Sequence, residues 1–312
     1  NEQLKPRRAL PAAPPPTMDT HYPIDILHPK RKPLPLTINI GGELVTLDRT
    51  LVMGILNVTP DSFYAGSRSL TREEIEARVR RMIEDGADII DVGACSTRPG
   101  SAAPEEAEEW ERISLAMRVI RGVSEKSWVS VDTYRAGIAE RAVKEYGAQI
   151  VNDVSGGTMD EGMFGTVAAL GVPYVLTHIQ GTPLTMQEEP RYEHVTVEVT
   201  QWLAERIDRL HQMGVCDVII DPGFGFGKTL EQNYQLLREL RHLKHEIEAP
   251  LMVGLSRKSM ICQPLGVTAE EALNGTTALN TIAIRQGADI LRVHDVREAA
   301  QTARLCELVG NA

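Results

Sequence analysis

Eight short apolar runs in the chain each stop at a residue that can do chemistry. Residues 51–56 lead to Asn57, 89–90 to Asp91, 128–131 to Asp132, and 149–151 to Asn152 and Asp153. Further on, 173–176 lead to Thr177 and His178, 217–220 to Asp221, 251–254 to Ser256, Arg257 and Lys258, and 289–291 to Arg292, with His294 two places later. Carboxylates only accept hydrogen bonds, whereas an asparagine amide donates and accepts. Asp132, Asn152 and Asp221 therefore suit a flat heterocycle that offers several N–H donors and a carbonyl. Each hydrogen bond to a charged group contributes about 1.5–3 kcal/mol, so two or three would dominate recognition. Arg292 and His294 project to one side if extended geometry persists, and opposite Asn57 they form a clamp for an oxyanion or a pyrophosphate. Lys258 can pair with Asp221 or donate to a ring carbonyl. Each residue alone has a bland alternative: an acid that solvates a loop, a structural histidine at 178 or 294, a surface lysine. Repetition at eight equivalent junctions favours a shared site.

The elements that must carry these residues are strands followed by helices. The 217–220 run is apolar throughout, as in a parallel strand buried on both faces, and helical periodicity separates each run from the next. Eight strand-plus-helix units predict a (β/α)8 TIM barrel, whose chemistry sits on the loops at the strands' C-terminal ends. Thr71 with Glu74 has capping-box spacing and opens a helix to about Asp85. Helices are expected from near Pro104 and over 134–146, 160–170, 192–213, 229–246, 268–286 and 295–309. Gly86, Gly147, Gly171, Gly214 and Gly287 stand where helix-to-strand connections need a left-handed residue. The run Glu105, Glu106, Glu108, Glu109 and Glu111 reads as a solvated helix face. The segments 37–40 and 43–47 read as a hairpin turning at Gly41 and Gly42, within an N-terminal stretch 36–50 that covers the barrel's lower end. Residues 1–35, rich in proline, read as a flexible arm, leaving 36–312 as one barrel domain. Long loops after Asn57 and Asp91 suit mobile lids.

Composition narrows the function. With 33 basic and 43 acidic residues among 312, the net charge of −10 argues against general affinity for nucleic acid or membrane surfaces. Cys95, Cys216, Cys262 and Cys306 form no CxxC pair and no ligand cluster, which fits reduced thiols in a cytoplasm. No apolar run approaches the roughly 20 residues that cross a bilayer, and no signal-peptide pattern is evident. Gly223 to Thr229 matches neither the phosphate-loop nor the dinucleotide pattern, since Pro222 stands where the former requires glycine.

Segments 53–63, 96–100, 131–133, 152–157, 221–228, 256–259 and 292–296 resemble, in order, the motifs of bacterial dihydropteroate synthase, over roughly residues 36–310. The resemblance implies a TIM-barrel homodimer that joins 6-hydroxymethyl-7,8-dihydropterin pyrophosphate to para-aminobenzoate in folate biosynthesis by an SN1-like displacement. It implies that Asp132, Asn152, Asp221 and Lys258 hold the pterin, with Arg292 on its face. Asn57 would ligate Mg2+ and, with Arg292 and His294, hold the pyrophosphate. Thr97, Pro99, Phe226, Lys258 and Ser259 would shape the site for aminobenzoate, the substrate that sulfonamides mimic in this family. Asp61, Phe63 and Arg98 would belong to the closing loops. Three positions depart from the family pattern: Ala65 replaces a second acid in the first loop, Ala94-Cys95 stands where Gly-Glu is common, and Thr177 where methionine is common. A pterin-dependent methyltransferase shares the barrel and the pterin grip but has no need of the Thr97-Arg98-Pro99 loop or the pyrophosphate clamp. A noncatalytic pterin-binding barrel is the alternative of another class.

Overall fold

The computed structural model describes residues 36–59, 71–95, 104–181, 186 and 190–310. The expected arm and the positions Asp61, Phe63, Ala65, Thr97, Arg98 and Pro99 lie outside the described residues.

Strands β1 (Thr37–Ile40) and β2 (Glu43–Thr46) pair antiparallel around Gly41 and Gly42, as expected of the hairpin. Eight parallel strands follow: β3 (Leu51–Asn57), β4 (Ile89–Gly93), β5 (Trp128–Asp132), β6 (Ile150–Asp153), β7 (Tyr174–Thr177), β8 (Val218–Asp221), β9 (Met252–Val253) and β10 (Ile290–Val293). Their order is β8-β7-β6-β5-β4-β3-β10-β9, and a parallel bridge between Ile220 and Leu251 joins the two ends into the barrel. The helices are α1 (Arg72–Glu84), α2 (Glu106–Val123), α3 (Ala136–Tyr146), α4 (Met163–Leu170), α5 (Val195–Gln212), α6 (Leu230–Arg238), α7 (Leu240–Ile247), α8 (Ser259–Leu265), α9 (Leu273–Arg285) and α10 (Val296–Gly310). The Thr71–Glu74 capping box is formed, and all five connection glycines have positive φ. No described helix is long and apolar enough to cross a membrane.

Strand side chains alternate between two cores, as a period of two requires. Outward residues such as Val52, Ile90, Val129, Val151 and Val253 pack under the helices. Inward residues Met53, Ile89, Ile150, Val175, Ile219, Met252 and Ile290 form a second core, into which the hairpin inserts Ile38 and Ile40. The hairpin thus closes the lower end of the barrel with apolar side chains. Two residues further along five of these strands, the same inward alternation reaches Asp91, Asn152, Thr177, Asp221 and Arg292. An apolar floor below and polar groups above is the arrangement that positions the site.

Three expectations are corrected. The span 229–246 is two helices, broken at Glu239, whose carboxylate accepts from Thr196 Oγ1 at 2.7 Å. The helix expected from 268 begins at Leu273, and the short α8, which contains Pro264, precedes it. Glu109 is fully buried rather than solvated. It falls on one α2 stripe with Ile113, Ala116, Met117 and Ile120, accepts from Thr133 Oγ1 at 2.6 Å and forms an ion pair with Arg135.

Candidate active site

Arg292 joins three strands at the barrel mouth. From β10 its Nε donates to Asp91 Oδ2 on β4 at 2.7 Å, and its Nη2 donates to Asp132 Oδ2 on β5 at 2.5 Å. Asn152, on β6, donates from Nδ2 to the same Asp91 oxygen at 3.1 Å. Asp91 is wholly buried, and its Oδ1 has no hydrogen-bond partner among the described residues. An acceptor left so is costly unless a ligand or water supplies the donor. Asp91 is a site residue that the sequence reading placed at a strand end without a role; it lies within β4, two residues short of the strand's last residue. The signal that could have found it is the alternation itself, since Ile89 and Asp91 must face the same side.

A second cluster lies across the mouth. Asp221 ends β8 and accepts the Gly223 N–H at 2.8 Å. Lys258, the N-cap of α8, donates to the Phe224 carbonyl at 2.5 Å and stands 4.5 Å from the centre of the Phe226 ring. Ser259, the first residue of α8, is exposed. The loop from Pro222 to Lys228 is tied from inside: Lys228 Nζ donates to the carbonyls of Gly223 and Phe226, each at 3.0 Å, and lies 2.9 Å from His178 Nδ1. His178, buried with its ring edge-on to Trp202, is therefore a structural partner of Lys228.

Charge follows from burial and from these pairs. Burial pushes the Asp132 carboxyl up to about 7, against the pull of Arg292. Asp221 is raised by burial too, against Lys258 and then Arg292, while burial brings Lys258 down to about 8. Burial disfavours the Arg292 cation, but Asp91 and Asp132 outweigh it and hold the guanidinium charged. Burial lowers Lys228 to about 7 and, with Lys228 beside it, drives His178 well below the ordinary histidine range. His294 is brought down to about 4 by burial and by Arg292, Arg257 and Arg78.

His294 follows β10, with Nδ1 3.1 Å from Ser256 Oγ. With Arg78, Arg257 and Asp295 it lines a cavity of about 510 Å³ beside α1 and the start of α10. Asn57 ends β3 half-buried, and its side chain has no hydrogen-bond partner among the described residues. Among those residues no group of three or more His, Cys, Asp and Glu is arranged to hold a metal ion. One free amide oxygen suits a hard cation carried mainly by a substrate's phosphates, which is how Mg2+ is commonly bound. The structure thus gathers Asp132, Asn152 and Arg292 into one network, sets Asp221, Lys258 and Phe226 beside it, and places Asn57 and His294 at the rim.

Residues 53–294 match the family described as "Pterin binding enzyme". The dihydropteroate synthase of Escherichia coli (strain K12) is 42% identical over 275 residues, which is 87% of this chain and 95% of that protein. Among solved structures, Xanthomonas albilineans dihydropteroate synthase with 4-aminobenzoic acid matches with a TM-score of 0.81 and 37% identity, covering 89% of this chain and 99% of that one. The dihydropteroate synthase from Xanthomonas albilineans in complex with 7,8-dihydropteroate matches with a TM-score of 0.78 and 35% identity, over 89% of this chain and 100% of that one. The chain belongs to the pterin-binding enzymes and, within them, to the dihydropteroate synthases.

Proposed function

We propose that the chain condenses 6-hydroxymethyl-7,8-dihydropterin pyrophosphate with para-aminobenzoate to give 7,8-dihydropteroate and pyrophosphate, a step of folate biosynthesis. The observation that carries this reading is the network of Asp91, Asp132 and Asn152 around Arg292, with one buried acceptor still lacking a donor. A pterin offers amine and ring N–H donors beside a ring carbonyl. Asp132, Asn152 and Asp221 supply the matching acceptors and amide, Lys258 donates to the carbonyl, and Arg292 packs against the ring face.

The reaction needs the C–O bond to pyrophosphate to break, leaving a carbocation at the pterin methylene. The aniline nitrogen of aminobenzoate attacks that carbon and then loses a proton. Negative charge grows on the departing oxygen, so donors fixed in advance there lower the barrier. Arg292 uses Nε and Nη2 for its two carboxylate bonds, leaving Nη1 for the pyrophosphate, and His294 and Asn57, which end neighbouring strand units, complete the clamp in this reading. Mg2+, held by Asn57 and the pyrophosphate, would neutralise charge on the phosphates. Phe226, Lys258 and Ser259, with Thr97 and Pro99, form the aminobenzoate side. Excluding water from the cation falls to the loops after Asn57 and Asp91, with Asp61, Phe63 and Arg98.

Two further expectations join this reading: the chain works as a homodimer and in the cytoplasm. The reaction is tested by giving purified protein the dihydropterin pyrophosphate, Mg2+ and aminobenzoate, omitting each in turn, and following pyrophosphate together with the mass of dihydropteroate. Pyrophosphate release coupled to dihydropteroate supports the synthase. Saturable pterin binding without either product would replace it with a binding module.

A further inference from the structure

Among the described residues, Ser256 is the hydrogen-bond partner of the His294 ring. Ser256, which lies just beyond β9 and is 5% exposed, has its Oγ 3.2 Å from the His294 backbone N–H and 3.1 Å from His294 Nδ1. The backbone N–H can only donate, so Oγ accepts there. The hydroxyl's own proton then needs an acceptor, and His294 Nδ1 is the one within reach among the described residues. If Nδ1 carried a hydrogen, it and the backbone N–H would both donate to Oγ, and the buried Ser256 proton would be left without an acceptor, at a cost proteins avoid. The arrangement is satisfied only when Nδ1 is bare and the proton of the neutral ring sits on Nε2. The ring is neutral near pH 7, since burial and the guanidinium groups of Arg292, Arg257 and Arg78 lower its affinity for a second proton.

We propose that Ser256 is a positioning residue that fixes His294 as its Nε2–H tautomer and turns that N–H outward as an uncharged donor to the departing pyrophosphate oxygen. The proposal rests on the synthase reading for the identity of the acceptor, but the tautomer itself does not depend on it. A neutral donor has a functional consequence here. Arg292 already supplies charge, and a second cation would hold pyrophosphate after the bond has broken, whereas an oriented N–H stabilises the growing charge and still releases the product.

The test is nitrogen-15 NMR of the full-length protein labelled at histidine, with His294→Gln used to identify the His294 signals among those of the eight histidines. The expected spectrum shows an acceptor-type resonance for Nδ1 and an N–H-type resonance for Nε2. Ser256→Ala is expected to give averaged or inverted shifts and a kcat lower by roughly tenfold, with KM for aminobenzoate unchanged. Ser256→Thr, which keeps the hydroxyl, is expected to restore both the spectrum and the turnover, and thermal melting shows that each variant is folded. A proton on Nδ1 in the unmodified protein overturns the proposal. So does a folded Ser256→Ala protein whose kcat stays within twofold, or a threonine variant with the Nε2–H spectrum and alanine-like turnover. A protein that makes no dihydropteroate while showing the Nε2–H spectrum would instead overturn the synthase reading and leave the tautomer standing.

Discussion

Arg292 is engaged by two carboxylates at once, and that decides what each of the three can offer a ligand. Its cation offsets two buried acids, so deleting one acid does more than remove a contact. Asp91→Ala would leave the guanidinium and the Asn152 amide short of a partner in a buried setting, and the fold is expected to lose about 3 kcal/mol or more, read from denaturant melts. Asp132 carries a different consequence. Its carboxyl is raised to about 7, chiefly by burial, with Arg292 opposing. A raised folded-state value means that its contribution to stability is fully present below the unfolded value near pH 4 and lost as pH rises through about 7. Binding runs the other way. Only the ionised group is a pure acceptor, so pterin affinity is expected to rise with pH by up to about tenfold per unit between roughly pH 5 and 7, then level off. Calorimetry with a pterin across that range, repeated on Asp132→Asn, checks this; a flat profile in the unmodified protein would show that Asp132 is already ionised. At this scale the sequence was legible where a polar residue ended an apolar run, as at Asp132, Asn152, Asp221 and Arg292. It was opaque as to pairing: Asp91 ended an apolar run without a role and Glu109 read as solvated, because their partners, Arg292 and Arg135, are remote in the chain and meet them only when the barrel closes.

Between β8 and α6 the chain shows how an element holds the site it delivers. Thr229 caps α6 in a capping box with Gln232, and one turn in, the buried Asn233 reaches back into the loop. Its Oδ1 accepts the Gly225 N–H at 2.7 Å, and its Nδ2 donates to the carbonyls of Lys228 at 3.1 Å and Thr229 at 2.7 Å. Asn233→Ala removes all three side-chain bonds, while the Thr229 carbonyl keeps the Asn233 backbone N–H at 3.0 Å. It is expected to cost about 2–3 kcal/mol and, by loosening Phe226 beside Lys258, to raise KM for aminobenzoate several-fold, with pterin affinity little changed. A steady-state titration of aminobenzoate beside pterin calorimetry separates the two effects. Gly223 has no such tolerance: at φ 69° a Cβ would lie 1.9 Å from the His178 carbonyl oxygen. Gly223→Ala is expected to cost at least about 3 kcal/mol, seen as a lowered melting temperature or insoluble protein. The barrel itself was legible because parallel strands buried on both faces read as unbroken apolar runs and helices as a 3.6-residue stripe. The break between α6 and α7 was not, because Leu236, Leu237, Leu240 and Leu243 continue the stripe across it. What interrupts the helix is Glu239, drawn to Thr196 on α5 and to Arg238, and local pattern does not display a tertiary contact of that kind.

Among the described residues, α10 carries an apolar face that the barrel core does not use. On α10, Leu305, Leu308 and Val309 are 64%, 50% and 68% exposed, and their spacing places them on one face. On α9, which packs against α10, Leu273 and Ile282 are 37% and 43% exposed, but half a turn apart around the helix they do not share a face. A protein with a net charge of −10 has polar residues to spare for its surface, so a stripe of three large aliphatic side chains on one face of α10 calls for a cover. A second copy of the chain offers the same stripe, and a twofold axis would set each against its equivalent, as isologous interfaces do. The homodimer proposed for this enzyme then has a location. Light scattering coupled to size exclusion is expected to give twice the 34.4 kDa of one chain. Leu305→Glu combined with Val309→Glu is expected to bring the mass down to one chain, because two such changes bury four carboxylates across the axis. Pterin affinity should survive, since the Arg292 network is built within one chain. A double variant that remains a dimer would move the interface to another face; a monomeric parent would remove the dimer altogether and leave the stripe to a different partner.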